Sequence, residues 1–553
     1  MQRNSANDIF INGSNDPSKI ADAFAQEFET VYCISGATNI AKQEFDLEFL
    51  NASCTLTNAN QFDPSLISVE LVDRCMRKLK LGKASGPDEL GAEHLINAHP
   101  SLVVHLSLLF RGIALHAYVP DDFGSGIIVP LLKDKSGNVN DLGNYRGITL
   151  IPVISKLFEL VILEICKPCF QTDDLQFGFK EGLGCSNAIM VLNETVKHFT
   201  SKGSSVFAAA LDFKKCFDSI NHFKLFTSLL KAGVPAWVVA VLCDWYSKLN
   251  VSVRWKGSLS GLIKVHSGVR QGTSLSPAIF NVFTNIFICK LKSLNYGCKM
   301  NAVFVGAIMY ADDLILLSAT VHGLQQMLNC CTTVCSESLL EFNSRKCTCV
   351  KIGPALRLTI DNFKLVNDSL TWASCFKYLG VTFQAGLHLT VDINVIKRSF
   401  FASCNCILGN VKCMNDILKL NLMESFCLPI LLYATAALNL SPDQLADLNA
   451  GWNSAYRRIF GFNRWESIRS FIAGIGRLDF HHIRANLYFK FCKFGVISQN
   501  IVFRNIMIRH TFTHEFKQRC NIYGLQNINC SSINGLSVNR LKGLLTLTFQ
   551  NTC

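Results

Sequence analysis

The chain has 553 residues, 49% hydrophobic and 17% charged; this balance excludes a disordered protein, and the length exceeds one compact core, so two or more domains are expected. Its formal net charge of +12 is unevenly placed: residues 451–553 carry 14 Lys and Arg against Glu466, Asp479 and Glu515, which leaves the first 450 residues at +1. The polar start Met1–Asp16 is no signal peptide, and the most apolar run, Phe426–Leu440, is too short for a bilayer span and reads as a buried helix.

Residues 1–64 are acidic and mixed in pattern, ending in the polar stretch Asn58-Ala59-Asn60-Gln61. Residues 65–200 alternate helical runs with turn signals such as Lys133-Asp134-Lys135-Ser136-Gly137. Ser205–Leu211 is a run of small and apolar residues ending in Asp212, which reads as a buried strand with an acid at its open end. Asp218 or Ser219 can then cap a helix whose apolar residues are Ile220, Phe223, Phe226, Leu229 and Leu230, closed by Gly233 and Pro235. Further on, Val303–Met309 and Leu314–Leu317 flank Tyr310-Ala311-Asp312-Asp313, the pattern of a hairpin with buried strands and an exposed acidic tip. A helix follows from Val321 to about Leu340, with Leu324, Met327, Leu328 and Cys331 on its apolar face, and residues 386–553 read as mainly helical.

Adjacent acids on a buried hairpin repel one another and lose water unless a positive charge compensates them. A divalent metal supplies that charge and takes hard oxygen ligands. Asp312 and Asp313 alone fit an ordinary acidic turn equally well. Asp212, 100 residues upstream at a second strand end, favours a clamp of three carboxylates for two metals about 3.5–4 Å apart. Such a clamp suits phosphoryl transfer, which depends on positioning and charge neutralisation.

Three ordered segments carry a resemblance: Leu211-Asp212-Phe213-Lys214-Lys215-Cys216-Phe217-Asp218, then Gly268-Val269-Arg270-Gln271-Gly272-Thr273-Ser274-Leu275-Ser276-Pro277, then Tyr310-Ala311-Asp312-Asp313. They resemble the palm signatures of reverse transcriptases, and the chain is similar to the polymerases of non-LTR (LINE-type) retrotransposons. Lys83–Asp88, Asn144–Ile148, Gln176–Phe179, Asn343–Lys346 and Phe376–Gly380 extend the resemblance over roughly residues 65–385. It implies an α+β right-hand polymerase: a connector at 1–64, fingers at 65–200, an antiparallel palm sheet backed by helices at 201–385, a helical thumb at 386–450 and a basic helical C-terminal domain at 451–553.

The resemblance also implies roles. Asp212, Asp312 and Asp313 would be the catalytic acids and metal ligands, holding two Mg²⁺ with Mn²⁺ as a substitute, and Lys346 would protonate the pyrophosphate leaving group. Lys133 and Arg146 would grip the incoming triphosphate, Phe213 and Phe217 would line the sugar site with Phe217 excluding a ribose 2′-hydroxyl, and Gln271 and Gly272 would lie against the nascent base pair. Tyr310, Phe376, Tyr378, Leu379 and Gly380 would contact the primer end. Each has a plainer reading: Phe217 as core, Lys133 as a solvated turn charge, Lys346 as a surface cation beside Arg345, and Tyr378-Leu379-Gly380 as a strand running into a turn.

The implied activity is RNA-directed DNA polymerisation from dNTPs on an RNA template, with a DNA primer or target DNA as partner. The alternative is an inactive or domesticated nucleic-acid-binding remnant. In the basic tail, Trp452, Tyr456, Phe460, Phe462 and Trp465 interleave with Arg457, Arg458 and Arg464, a mixture suited to stacking on bases or to the inside of a helical bundle. The 24 cysteines form no disulfide framework or zinc spacing, so reduced thiols, no disulfide-linked partner, no membrane association and an intracellular setting (nucleus and cytoplasm) are expected. Ile20–Tyr32 resembles the connector that relatives place after an N-terminal endonuclease, so a fragment lacking that endonuclease is expected. Leu339 stands where the family commonly has a helix-ending glycine.

Overall fold

A computed structural model describes residues 9–32, 38–54, 62–133, 137–411, 413–523, 525 and 537–550; Asn58–Gln61 and Asp134–Ser136 lie outside the described residues. The chain folds into two compact units, each assembled from separate segments: 1–173, 213–287 and 333–342 make the first, and 174–212, 288–332 and 343–553 the second. Both mix helices with sheet, antiparallel in the main sheet of the second unit and mixed in the first, where β1 and β4 run parallel, so the fold is α+β.

The first unit is built on a sheet in the order β2-β1-β4-β5, with β6 also on β4: β1 is Ser125–Leu132, β2 Tyr145–Leu150, β4 Asn250–Trp255, β5 Ser258–Leu259 and β6 Ile263–Lys264. β1 and β2 fall where helical runs and turns were expected. The Ile127-Ile128-Val129 run is too short for its period to tell strand from helix, and antiparallel pairing with β2 decides it. Tyr145 and Trp255 pack edge-on at 5.7 Å, and Phe24 of the helix Pro17–Tyr32 closes over both at 4.9 and 5.1 Å.

The expected cap at Asp218 or Ser219 is corrected. Cys216–Ser219 is a separate short helix, and the long one, His222–Lys231, starts after Asn221, whose side chain accepts from the Lys224 N–H at 3.1 Å. Leu339 takes a left-handed conformation at φ +55°, and the Leu340 N–H reaches back to the Cys335 carbonyl at 2.9 Å. The helix therefore ends in a glycine-type cap without its glycine, a conformation costing about 1–2 kcal/mol in an L-residue.

The second unit is organised by an antiparallel sheet in the order β11-β3-β10-β9: β3 is Val206–Leu211, β9 Ala307–Tyr310, β10 Asp313–Ser318 and β11 Thr348–Ile352. Leu314–Leu317 and Ala307–Met309 are all buried, which explains why these strands read as continuous apolar runs without alternation. Small side chains at Ala208–Ala210 let β3 sit at the centre of the sheet, between β10 and β11. Three smaller ribbons complete this unit: β7 (Lys299–Met300) with β8 (Val303–Phe304), β12 (Phe363–Leu365) with β13 (Asp368–Leu370), and β14 (Cys375–Tyr378) with β15 (Val381–Gln384) and β16 (Thr390–Val391).

The C-terminal part of the second unit is helical. Phe426–Leu440 is not the single buried helix expected: Pro429 starts a short helix at Leu428–Leu432, Ala434 turns the chain at φ +55°, and Phe426 is exposed. Among the described residues no helix is long and apolar enough to cross a membrane, and every cysteine from Cys75 to Cys520 is a free thiol.

Candidate active site

Asp212 follows the last residue of β3, and Asp313 opens β10. The pairing of Leu211 with Leu314 sets Asp212 and Asp313 opposite each other one step beyond the ladder, with Asp312 next along the chain in the β9–β10 turn. The Asp212 carboxylate lies 3.8 Å from the Lys346 ammonium, with 37% and 69% of the two side chains exposed. Burial raises the Asp212 carboxyl above its ordinary range, and Lys346 pulls it back down.

The segment that carries Lys346 is folded onto the same strand end. The Asn343 N–H donates to the Asp212 carbonyl at 2.8 Å, and the Asp212 N–H lies 3.4 Å from the Cys347 sulfur. Burial lifts the Cys347 thiol to about 11. Among the described residues no three carboxylate, imidazole or thiol groups are drawn together into a metal-holding cluster. The donor set at this strand end, carboxylates with Asp212 partly open to solvent, nevertheless suits a hard dication.

The acidic turn has a support that the sequence does not advertise. Ala311 holds φ +56°, a conformation L-residues avoid, at the first central position of the two-residue turn. Fully buried Gln176 clamps it: the Ala311 N–H donates to Gln176 Oε1 at 3.0 Å, and Gln176 Nε2 donates to the Ala311 carbonyl at 3.4 Å. The Gln176 segment runs parallel to β9, with the Phe177 N–H on the Met309 carbonyl at 2.7 Å and the Met309 N–H on the Leu175 carbonyl at 2.9 Å. Gly178 permits this approach, since a Cβ there would stand 2.4 Å from the Ala311 nitrogen.

The residues expected at the primer end divide into side chains and a turn. Phe376 and Tyr378 are buried: Phe376 stacks on Phe383 at 5.4 Å, and Tyr378 donates to the Ile308 carbonyl at 3.4 Å. Burial, reinforced by the Asp313 carboxylate, pushes the Tyr378 hydroxyl well above its ordinary range. Leu379 and Gly380 form the two-residue β14–β15 turn at φ +46° and +78°, and Tyr433 donates to the Leu379 carbonyl at 2.8 Å. Tyr310 is half-buried, its hydroxyl pushed up to about 12 by burial and by Cys185 beside it.

In the first unit, Lys133 and Arg146 are exposed at the ends of β1 and β2. Their charges reach the Asp218 carboxyl, which close packing raises and which Gln271 Nε2, Lys215, Lys133 and Arg146 draw back down. Gln271 donates to Asp218 at 2.7 Å, and its carbonyl accepts from the Thr149 N–H at 2.8 Å. Gly272 takes φ +105° over Thr149, where a Cβ would meet the Thr149 carbonyl at 3.1 Å. Phe217 lies flat on Phe280, centroids 3.9 Å apart, which fixes its ring plane, and Phe213 is buried against Phe342 at 4.6 Å.

The roles of two residues of this unit escaped the sequence reading. Asp218 is the acid that orients Gln271. Glu159, buried on the helix Val153–Ile165, pairs with buried Arg270 at 3.2 Å and accepts from the Ser274 and Leu275 N–H groups at 2.7 and 3.3 Å. Burial pushes the Glu159 carboxyl up, while Arg270 and the two N–H donors pull it down. Its only local signal was an acid in a largely apolar helix that also carries Glu164, and a solvated face explains such a residue until its partner is known.

Residues 132–383 match the family of reverse transcriptases (RNA-dependent DNA polymerases). The chain is 27% identical over 342 residues to the Pol polyprotein of type-1 retrotransposable element R2 of Nasonia vitripennis, an alignment covering 59% of this chain and 32% of that one. It is 24% identical over 390 residues to the RNA-directed DNA polymerase of mobile element jockey of Drosophila melanogaster, covering 67% and 41%. The chain thus spans between about a third and two-fifths of the length of these curated relatives. Apo telomerase from Candida tropicalis aligns over 53% of this chain and 60% of its own at 13% identity and a TM-score of 0.35, a likeness too loose to locate any residue. The family match contains Lys133, Arg146, the Gln271 loop and all three acids, and the matching relatives are elements of one kind. Residues 132–383 thus match the reverse transcriptase family, and the chain is similar to the polymerases of retrotransposable elements.

Proposed function

We propose that the chain is an RNA-directed DNA polymerase that adds dNTPs to a primer 3′-hydroxyl on an RNA template. The observation that carries this reading is the register of β3 against β10, which sets Asp212 and Asp313 opposite each other beside the Asp312 turn. When bound there, two Mg²⁺ ions supply charge neutralisation for the attacking and leaving oxygens. Asp212, Asp312 and Asp313 would hold them, and Lys346 Nζ would give a proton to the departing pyrophosphate. Lys133 and Arg146 bind the triphosphate, Arg by its fork and Lys as a point charge. Phe217, held flat by Phe280, sits under the sugar and disfavours a ribose; Gln271, oriented by Asp218, and Gly272 lie along the base pair. The Leu379–Gly380 turn, anchored by Tyr433, supports the primer end. In this reading the fingers, palm and thumb follow the boundaries at 65–200, 201–385 and 386–450, with the basic region after 450 on nucleic acid, and the protein acts inside the cell on RNA, primer DNA and dNTPs.

The test is Mg²⁺-dependent extension of a DNA primer on an RNA template, with Asp312→Ala alongside. Extension lost in the variant supports the reading. No extension by either protein, with salt-sensitive RNA binding intact, favours a remnant that only binds nucleic acid.

Gln176 gives a second test of the same site. Gln176→Leu removes both hydrogen bonds to Ala311 without touching a carboxylate, and is expected to lower kcat about 10- to 100-fold with KM for dNTP nearly unchanged. A rise in KM at constant kcat would place Gln176 in substrate binding instead.

A further inference from the structure

Six aromatic side chains cluster around residues 452–471, and the structure separates them sharply. Trp452 and Tyr456 are fully buried, and Phe460 and Phe462 both turn inward onto Phe471 at 4.7 and 4.9 Å. Trp465 is 84% exposed. Single exposed aliphatic residues need no explanation, but an indole held almost wholly in water is unusual.

The loop beneath Trp465 is built to hold still. Gly461 ends the helix Pro442–Phe460 at φ +73°. The Asn463 N–H and side-chain amide donate to the two Glu466 carboxylate oxygens at 2.7 and 2.9 Å. The Arg457 guanidinium grips the Glu466 carbonyl from below with two hydrogen bonds, at 3.1 and 2.9 Å. Trp465 is therefore presented on a preorganised loop, which lowers the ordering cost of any ligand that stacks on it.

The charge around it selects the ligand. Arg458, Arg464 and Arg469 are exposed on the same stretch, whereas the nearby acid, Glu466, is engaged within the loop. The residues that follow, Ser467, Ile468 and Arg469, line a cavity of about 560 Å³ whose wall also carries His481, Asn453 and the acid Asp479, which is engaged by the His482 N–H and ring at 2.8 and 2.7 Å.

We propose that the Trp465 loop is a base-stacking platform for single-stranded nucleic acid, with Arg464 and its neighbours on the phosphates. The platform rests on the polymerase reading only for its biological purpose. It engages a strand by stacking, which every base allows, and so favours single-stranded over duplex ligand with little sequence preference.

The experiment uses the full chain and an unstructured oligouridylate. Among the six tryptophans Trp465 alone is exposed, so quenching of intrinsic fluorescence on binding reports this residue. Quenching is expected in the wild type and lost in Trp465→Ala, with Kd about tenfold weaker and the salt slope unchanged. Arg464→Ala should keep the quenching but reduce the salt slope by about one. Binding followed by anisotropy that matches wild type in Trp465→Ala, or binding without quenching, overturns the platform. Primer extension measured on the same wild-type preparation separates the two readings: quenching without extension leaves the platform standing while the polymerase reading falls, and extension without quenching does the reverse.

Discussion

Replacing Asp212 with asparagine is expected to reduce nucleotide addition by at least about 10³-fold while leaving the protein as stable as wild type or slightly more so at neutral pH. The side chain keeps its shape, and the backbone bonds of Asp212 to Asn343 and Cys347 do not depend on the carboxylate. The expected sign of the stability change follows from burial, which raises the folded-state pKa above its ordinary 3.8. The folded protein thus binds this proton more tightly than the unfolded chain does, so stability falls as pH climbs from 3.8 through the raised value and remains reduced above it. Asparagine has no charge to bury. The gain is small, because the side chain is 37% exposed and Lys346 already offsets part of the penalty. Thermal melts at acid and neutral pH, beside primer extension, check both halves. Retained extension would remove Asp212 from the metal site, and a lower Tm at neutral pH would show that its charge stabilises the fold.

Glu159→Leu is expected to destabilise the first unit by about 3–5 kcal/mol, because it leaves Arg270 as an uncompensated buried charge and orphans the Ser274 and Leu275 N–H groups. Glu159→Gln keeps acceptors for those donors and loses less. The double variant Glu159→Leu/Arg270→Met should recover much of the loss, since a buried pair replaced by apolar residues of similar volume is often neutral. Denaturant unfolding of the three variants tests this. A Glu159→Leu protein within about 0.5 kcal/mol of wild type would show that Arg270 finds other partners, such as the Phe123 carbonyl at 3.2 Å and the Trp245 ring at 5.1 Å. The loop from Arg270 to Leu275 carries Gln271 and Gly272, so nucleotide use should fall together with stability.

Much of this was legible in the residues. Apolar runs ended by acids marked β3 and the β9–β10 hairpin, because strands buried on both faces leave that trace whatever surrounds them. The helix over Val321–Ser338 buries the expected Leu324, Met327, Leu328 and Cys331. Local patterns failed where two readings shared one composition. β1 and β2 looked like pieces of helix, and Phe426–Leu440 looked like one. The aromatic residues after 450 mixed buried and exposed side chains in a pattern that only their packing sorts.

The sequence by itself determined three acids at strand ends and a basic end, which are properties of residue type and short spacing, and its resemblance to a family added a glutamine–glycine loop and two cations expected at a triphosphate. Tertiary structure decided which groups hold them in place. Gln176 reaches Ala311 across 135 positions and Glu159 reaches Arg270 across 111; Glu159 is an unremarkable residue until the chain closes that distance, and Gln176, though part of the Gln176–Phe179 resemblance, gives no sign of its partner. Hydrogen bonds between distant segments leave no periodic trace, since either partner is compatible with a solvated surface. Only burial makes them obligatory. The same holds for Trp465, whose neighbours fold inward and leave it alone in solvent.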